Sequence, residues 1–136
     1  MAVRILIADD HSLVRQTLRE ILELNGFAVV AEAGNGRTAV KMALELLPDI
    51  VVMDICMPEC GGIEATRSII ANAPQIRVIA VSACTEREYA EAMLEAGACG
   101  YVLKDCAFED LPAAVDEVLD GRGFLSRRLA GTVAAH

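Results

Sequence analysis

Five polar side chains stand directly after apolar runs that have the composition of buried strands. They are Asp9, Asp10, Asp54, Ser82 and Lys104. The carboxyl ends of parallel strands meet at one edge of a sheet, and the ligands of such sheets bind there. Each residue alone would be an unremarkable helix cap or surface group. Together, at the ends of four strands, they predict one shared site at the rim of a sheet.

This predicted rim combines three carboxylates with a lysine and a hydroxyl. Two unit charges 4 Å apart repel by roughly 4 kcal/mol at an effective dielectric constant near 20, so the carboxylates must protonate, spread apart or hold a cation. Hard oxygen ligands with positions left for water and phosphate suit Mg²⁺ or Mn²⁺. Asp54 is the natural nucleophile, because carboxylates form aspartyl-phosphates. Lys104 and Ser82 can bind phosphoryl oxygens, so the rim predicts phosphoryl transfer to Asp54.

The elements that must position these groups alternate between strand and helix along the whole chain. Apolar, β-branched runs predict five strands, and segments with helical periodicity follow each of them. The predicted strands cover residues 3–8, 27–33, 50–53, 77–81 and 99–103. Five such units with right-handed crossovers imply an α/β fold, a doubly wound parallel sheet with helices on both faces. Five strands suit the order 2-1-3-4-5.

Two helix starts can also be predicted from local patterns. Thr85 with Glu88 matches a capping box, which would open the fourth helix. Pro112 would disturb a helix interior because it lacks an amide hydrogen and clashes with the preceding turn. We therefore expect the last helix to start only near Asp110, with Pro112 in its tolerant first turn.

Composition limits the classes of protein to which the chain can belong. Its 136 residues suit one domain, and its hydrophobic content is 54%, yet no apolar run reaches the roughly 18 residues that cross a bilayer. The N-terminus lacks a signal-peptide layout, so a cytoplasmic protein without membrane contact is expected. A net charge of −8 argues against direct nucleic-acid contact. Five cysteines without a CxxC pair are expected to be small buried hydrophobes rather than zinc ligands.

These motifs together resemble the receiver (CheY-like) domain of bacterial two-component response regulators. The matching residues are Asp9-Asp10, Asp54-x-x-Met57-Pro58-x-x-x-Gly62, Ser82-Ala83 and Gly100-Tyr101-x-x-Lys104. The resemblance covers residues 3 to about 121. The LuxR-type (NarL/FixJ) subfamily is the most similar in three stretches, which are Asp9 to Arg15, Glu32 to Gly36 and Gly100 to Asp105.

The resemblance implies a phosphoacceptor and a set of metal ligands. Asp54 would receive phosphate from a phosphohistidine on a sensor histidine kinase. Asp10, Asp54 and the main-chain carbonyl of Cys56 would ligate Mg²⁺, and Asp9 would act largely through water. The domain would then be a switch and not an enzyme in its own right.

Other residues would respond to the phosphoryl group. Ser82 and Lys104 would bind its oxygens, and Tyr101 would swing inward when Ser82 is drawn to it, unless Tyr101 is an ordinary strand aromatic. Cys56 and Cys84 lie two residues beyond Asp54 and Ser82, where family members tune phosphate lifetime. These thiols are candidate modulators that slow or redox-gate hydrolysis, although two small side chains without a special role would fit as well.

The resemblance also predicts a domain boundary and partners. Residues 1–121 would form the receiver domain, and residues 122–136 would begin a linker toward a LuxR-type DNA-binding output domain that is missing from this chain. The expected partners are a sensor histidine kinase and that output domain. A weak or phosphorylation-dependent homodimer is expected through an exposed face of the first, fourth or fifth helix.

Three other functions compete with this interpretation. A phospho-independent interaction or dimerisation module would keep the fold, but the intact set of rim residues speaks against it. An aspartate-nucleophile phosphatase would need a second acid where Cys56 stands. A flavodoxin-like cofactor binder would need a Ser/Thr/Gly-rich phosphate loop after the first strand, where Asp9 and Asp10 would repel phosphate.

Overall fold

A six-stranded, fully parallel sheet forms the centre of the protein in a computed structural model that describes residues 2–130. The strands are β1 (Arg4–Ala8), β2 (Ala28–Ala33), β3 (Ile50–Met53), β4 (Arg77–Ser82), β5 (Gly100–Leu103) and β6 (Phe124–Leu125). The helices are α1 (Ser12–Leu24), α2 (Gly36–Leu46), α3 (Gly62–Asn72), α4 (Arg87–Ala96), α5 (Ala107–Leu119) and α6 (Arg127–Ala130), with a 3₁₀ turn at Lys104–Cys106.

The strand order is β2-β1-β3-β4-β5-β6. The predicted order 2-1-3-4-5 is therefore confirmed, but a sixth strand was missed. Its two residues pair with β5, Phe124 opposite Gly100 and Leu125 opposite Tyr101. Two residues are too few to show a strand's alternating pattern. The strand lies in the segment that was predicted to begin a linker, residues 122–136. Residues 131–136 of that segment lie outside the described part of the chain.

Helices cover both faces of the sheet, as predicted, and divide the core into two layers. Successive strand residues point to opposite faces. On β3, Ile50 and Val52 belong to the layer that α1 and α5 cover, whereas Val51 and Met53 belong to the layer under α2, α3 and α4. All four are fully buried, which explains their continuous apolar run. Within residues 2–130, no helix combines the length and the apolarity that a membrane span requires.

The start of α4 differs from the prediction. The residue that caps this helix is Glu86, and no side chain caps its free amides. Thr85 precedes that position by one residue, so the predicted Thr85–Glu88 capping box is wrong. A capping box requires its Ser or Thr at the cap position itself, where the side chain reaches the amide three residues on.

The start of α5 was also predicted wrongly. The helix begins at Ala107, directly after the 3₁₀ turn, so that Pro112 lies inside it. The amide hydrogen that proline lacks would have bonded to the carbonyl of Phe108. Phe108 is exposed in the first turn of the helix, and a carbonyl without its amide partner near an exposed helix end can bond to water instead. The helix can therefore accept the proline at this place.

Candidate functional site

The carboxyl ends of β1, β3, β4 and β5 carry the side chains that were singled out in the sequence. Asp9, Asp54 and Ser82 are buried there. The Lys104 ammonium lies 2.9 Å from Asp9 Oδ2 and 3.5 Å from Asp54 Oδ1. One lysine thus bridges carboxylates from two neighbouring strands, and the fold brings together groups that are up to 95 residues apart in the chain.

The surroundings of Asp54 strongly perturb its carboxyl group. Burial raises the pKa of Asp54 to about 6, and the Asp9 charge adds to the rise, while the charge of Lys104 opposes it. Its Oδ1 accepts a hydrogen bond of 2.9 Å from the amide of Ile55. Burial alone would lower the pKa of Lys104, but its bonds to Asp9 and Asp54 outweigh burial and raise that pKa. Lys104 is therefore a permanent cation, and Asp54 is ionised only at a cost.

Asp10 lies on the more exposed side of the rim, next to a histidine. Candidate ligand atoms of Asp9, Asp10 and His11 lie within 4.8 Å of one another. His11 Nδ1 is 3.1 Å from Asp10 Oδ1, and the His11 amide donates to Asp9 Oδ1 over 2.9 Å. Sequence reasoning did not assign His11 to this site, although its position directly after the two aspartates was the available signal.

The charges at the rim fit a divalent cation. Asp9, Asp10 and Asp54 carry three negative charges when ionised, and Lys104 supplies one positive charge, so that two negative charges stay unbalanced. Carboxylate oxygens are the ligands that Mg²⁺ and Mn²⁺ prefer. Cys56, whose carbonyl was predicted to be a further ligand, lies in the loop that follows Asp54. A small divalent ion would balance the charge that the protein leaves.

A close backbone approach holds the Asp54 loop in place. A side chain at Gly62 would put its Cβ 1.9 Å from the carbonyl oxygen of Asp54, so only glycine fits. The amide of Gly62 donates to the carbonyl of Ile55 over 2.7 Å. The first residue of α3 therefore packs against the backbone of the Asp54 segment. In the sequence, Gly62 was noted only as a glycine of the family motif, and this contact could not be predicted from it.

Ser82 and Tyr101 are both hydrogen-bonded to the backbone of Cys84. The Ser82 hydroxyl accepts a hydrogen bond of 3.1 Å from the Cys84 amide. Tyr101 is fully buried, and its hydroxyl donates to the Cys84 carbonyl over 3.0 Å. Burial raises the pKa of Tyr101 to about 12. The aromatic ring thus points inward in this structure, and its role as a switch stays a prediction.

The cysteines are more accessible than the sequence suggested. All five are free thiols, and none is fully buried, so the prediction of buried cysteines is wrong. All five lie in loops or in the 3₁₀ turn, where core packing does not enclose them fully. Burial, the Cys84 thiol and the Asp54 charge raise the pKa of Cys56. Because the thiolate is the reactive form, this shift disfavours a redox role for Cys56.

One further contact to the rim was missed in the sequence. Arg15, on the second turn of α1, donates a hydrogen bond of 2.6 Å to the main-chain carbonyl of Asp9. Arginine at a half-exposed helical position is normally a surface residue, so the sequence alone offers no reason to single it out.

Comparison with known proteins shows which family shares this arrangement. A family model for the response regulator receiver domain matches residues 5–116. The response regulator GacA of Pseudomonas viridiflava is 38% identical over 133 residues, which are 97% of this chain and 62% of GacA. The chain thus spans less than two thirds of the length of this curated relative.

Solved structures are similar over nearly the whole chain. A LuxR-family two-component response regulator from Aurantimonas sp. SI85-9A1 superposes with a TM-score of 0.92 at 39% identity, covering 96% of this chain and 94% of that one. The isolated receiver domain of RcsB from Salmonella enterica serovar Typhimurium, solved in the presence of the phosphomimetic BeF₃⁻, has a TM-score of 0.89 at 25% identity. That match covers 98% of this chain and all of the RcsB domain.

Proposed function

Because the chain belongs to the response regulator receiver domain family, we propose that Asp54 accepts a phosphoryl group from a sensor histidine kinase. The observation that carries this proposal is the bridge from Lys104 to Asp9 and Asp54, at 2.9 and 3.5 Å. It places a fixed cation beside a buried carboxylate at the rim where ligands of such sheets bind. The RcsB domain, solved in the presence of a phosphomimetic, points to the same chemistry in a similar protein.

Each rim residue would have its own role in phosphoryl transfer. An Asp54 oxygen forms the new bond to phosphorus as the bond to the kinase histidine nitrogen breaks. Lys104 can leave Asp9 for a phosphoryl oxygen, and the Ser82 hydroxyl can donate to another. Mg²⁺ or Mn²⁺, held by Asp9, Asp10, Asp54 and the carbonyl of Cys56, would supply the remaining positive charge that phosphoryl transfer requires.

The switch would run from Ser82 to Tyr101. A phosphoryl oxygen that draws the Ser82 hydroxyl toward Asp54 also moves its partner, the Cys84 amide. The carbonyl of the same residue holds the Tyr101 hydroxyl, so the ring responds to the phosphoryl group. This would bias the face formed by α4, β5 and α5 between two states. Cys84 would thus modulate the switch through its backbone, and Cys56 and Cys84 together could tune phosphate lifetime.

An apolar patch beside the site would receive a protein partner. Leu13 is 72% exposed, Leu24 78% and Phe108 72%. They surround a groove between α1 and the start of α5 that Lys104 also lines. Large exposed apolar side chains beside a reactive centre favour docking of another protein. A sensor kinase would approach here, and a weak or phosphorylation-dependent homodimer could use this face or the exposed faces of α4 and α5.

The output of the switch would lie outside the receiver domain. We propose that residues 1–121 form the receiver domain and that residues 122–136 begin a linker, the first part of which pairs with the sheet as β6. The likeness to RcsB, which has been solved as dimers bound to DNA, favours a DNA-binding output domain and a role in cytoplasmic transcription control. The net charge of −8 argues that the receiver domain itself does not contact nucleic acid.

The test is phosphorylation by a small-molecule phosphodonor with Mg²⁺, followed by intact mass measurement. One added phosphoryl group is expected in the parent protein and in Asp105→Asn, which removes an exposed carboxylate outside the site. None is expected in Asp54→Asn or in the presence of EDTA. A folded parent protein that gains no phosphoryl group would contradict the proposal and favour a phospho-independent interaction module.

A further inference from the structure

The acidic end of β1 is held by a side chain from the helix that follows it. Arg15 donates from Nη1 to the Asp9 carbonyl over 2.6 Å and from Nε to Glu32 Oε1 over 3.0 Å. Arg15 and Glu32 are largely shielded from solvent, with side-chain exposures of 21% and 28%. A bond from a charged donor in such a place is stronger and more directional than one between neutral groups.

Glu32 anchors this arginine from the neighbouring strand. It lies on β2, opposite Ile7 of β1. Its second oxygen accepts a bond of 2.7 Å from Arg19, one helical turn after Arg15. The hydrogen bonds from Arg19 and Arg15 outweigh burial and lower the pKa of Glu32. The carboxylate is therefore ionised at neutral pH and clamps two arginines of α1 onto β2.

The amide, the carbonyl and both carboxylate oxygens of Asp9 each have a partner, and Arg15 is the partner of the carbonyl. The Asp9 amide donates to the carbonyl of Ala33 over 3.0 Å. Oδ1 accepts from the His11 amide, and Oδ2 faces Lys104. The guanidinium binds the carbonyl and not the carboxylate, so it orients the peptide between Asp9 and Asp10 without occupying a ligand oxygen.

We propose that Arg15 is a positioning residue that presets Asp9 and Asp10 for a divalent cation. Glu32 is its anchor, and Arg19 supports only the anchor. This inference rests on the proposed function, in that it assigns a cation to the rim. It goes beyond that function, because Arg15 would contact neither the cation nor the phosphoryl group.

Two matched variants separate positioning from charge and from stability. Arg15→Lys and Arg19→Lys both keep the positive charge and both weaken the bonds to Glu32. Only Arg15→Lys removes the two-pronged contact that joins Glu32 to the Asp9 carbonyl, because an ammonium cannot span both acceptors as the planar guanidinium does. A difference between the variants therefore reports on the Asp9 contact.

The experiment is titration calorimetry with Mg²⁺ on the three proteins, with thermal unfolding in EDTA alongside. Loss of a residue that orients a metal ligand weakens affinity by about 10-fold or more. We expect such a loss for Arg15→Lys and an affinity close to the parent's for Arg19→Lys, while the two variants unfold at similar temperatures. At saturating Mg²⁺, phosphodonor labelling of Arg15→Lys should return to the parent level.

Two results would overturn the inference while leaving the proposed function intact. One is parent-like Mg²⁺ affinity in Arg15→Lys, and the other is an equal loss of affinity in both variants. A parent protein that binds no Mg²⁺ would be a different failure, since it would remove the cation from the proposed function and the positioning role with it.

Discussion

Asp54, which follows β3, and Asp105, in the turn after β5, have opposite electrostatic environments. Asp54, at the rim, is buried beside Asp9, and its pKa is raised to about 6. Asp105 follows Lys104 on the exposed side, where Arg128 Nη2 lies 2.7 and 2.6 Å from its two oxygens. That hydrogen bond lowers the pKa of Asp105. Asp54 thus shares the single positive charge of Lys104 with Asp9, whereas Asp105 has a cation of its own.

The contrast extends to the surroundings of each aspartate. At the β5–β6 edge, the buried Ser126 hydroxyl accepts from the Leu103 amide over 3.0 Å and donates to Asp110 over 2.8 Å. Within residues 2–130, no buried side-chain nitrogen or oxygen lacks a hydrogen-bond partner. The rim therefore differs from the edge in unbalanced charge and not in missing hydrogen bonds. The polar groups of the edge bond to one another and stabilise it, whereas the rim keeps a negative charge that a bound cation would balance.

The largest expected effect on stability comes from a change at Gly62, where α3 contacts the backbone of Asp54. Gly62→Ala would place a Cβ 1.9 Å from the Asp54 carbonyl oxygen, and the forced backbone shift should lower the free energy of unfolding by about 2–4 kcal/mol. Urea unfolding measures this loss. Gly61→Ala is the matched control, since its Cβ would meet the nearest atom, the Ile55 carbonyl oxygen, at 3.3 Å. Equal losses in both variants would contradict the close approach at Gly62.

A second change removes the unfavourable charge at the rim. The folded-state pKa of Asp54 is raised, so ionisation of this group costs stability at neutral pH. Asp54→Asn should therefore raise the free energy of unfolding at pH 7 by about 3 kcal/mol. Relative to the parent protein, the gain should shrink as the pH falls from about 6 toward 4, because the parent carboxyl then becomes neutral as well.

Urea unfolding of both proteins across this pH range tests the sign of that effect. Only the difference between them is diagnostic, because other carboxylates titrate in the same range. A variant that is less stable than the parent at pH 7 would show that the Asp54 charge stabilises the fold and would remove the contrast with Asp105.

The smallest effects are expected at the β5–β6 edge. Ser126→Ala leaves the Leu103 amide and the Asp110 carboxylate without this partner and should lower the free energy of unfolding by about 1–2 kcal/mol. Arg128→Ala removes only an exposed ion pair, and its unfolding midpoint in urea should match that of the parent protein. If Arg128→Ala lost as much stability as Ser126→Ala, the edge would depend on surface charge and not on the buried serine.

Much of this architecture could be predicted because its signals are local. The continuous apolar run of Ile50 to Met53 indicates a strand that is buried on both faces. Asp54 and Lys104 each follow such a run directly, so strand order alone was enough to place them on one rim. The start of α5 was misjudged, because the exposed first turn that makes Pro112 acceptable cannot be read from the proline itself.

The sequence by itself determined the alternation of strands and helices, the chemical groups at the rim and the family. These depend on residue type and on spacing over a few positions. Only the tertiary structure decided which groups touch: Arg15 on the Asp9 carbonyl, Gly62 on Asp54, and β6 beside β5. It also decided that the pKa of Asp54 is raised, because burial and the distance to Asp9 and Lys104 depend on residues far apart in the chain.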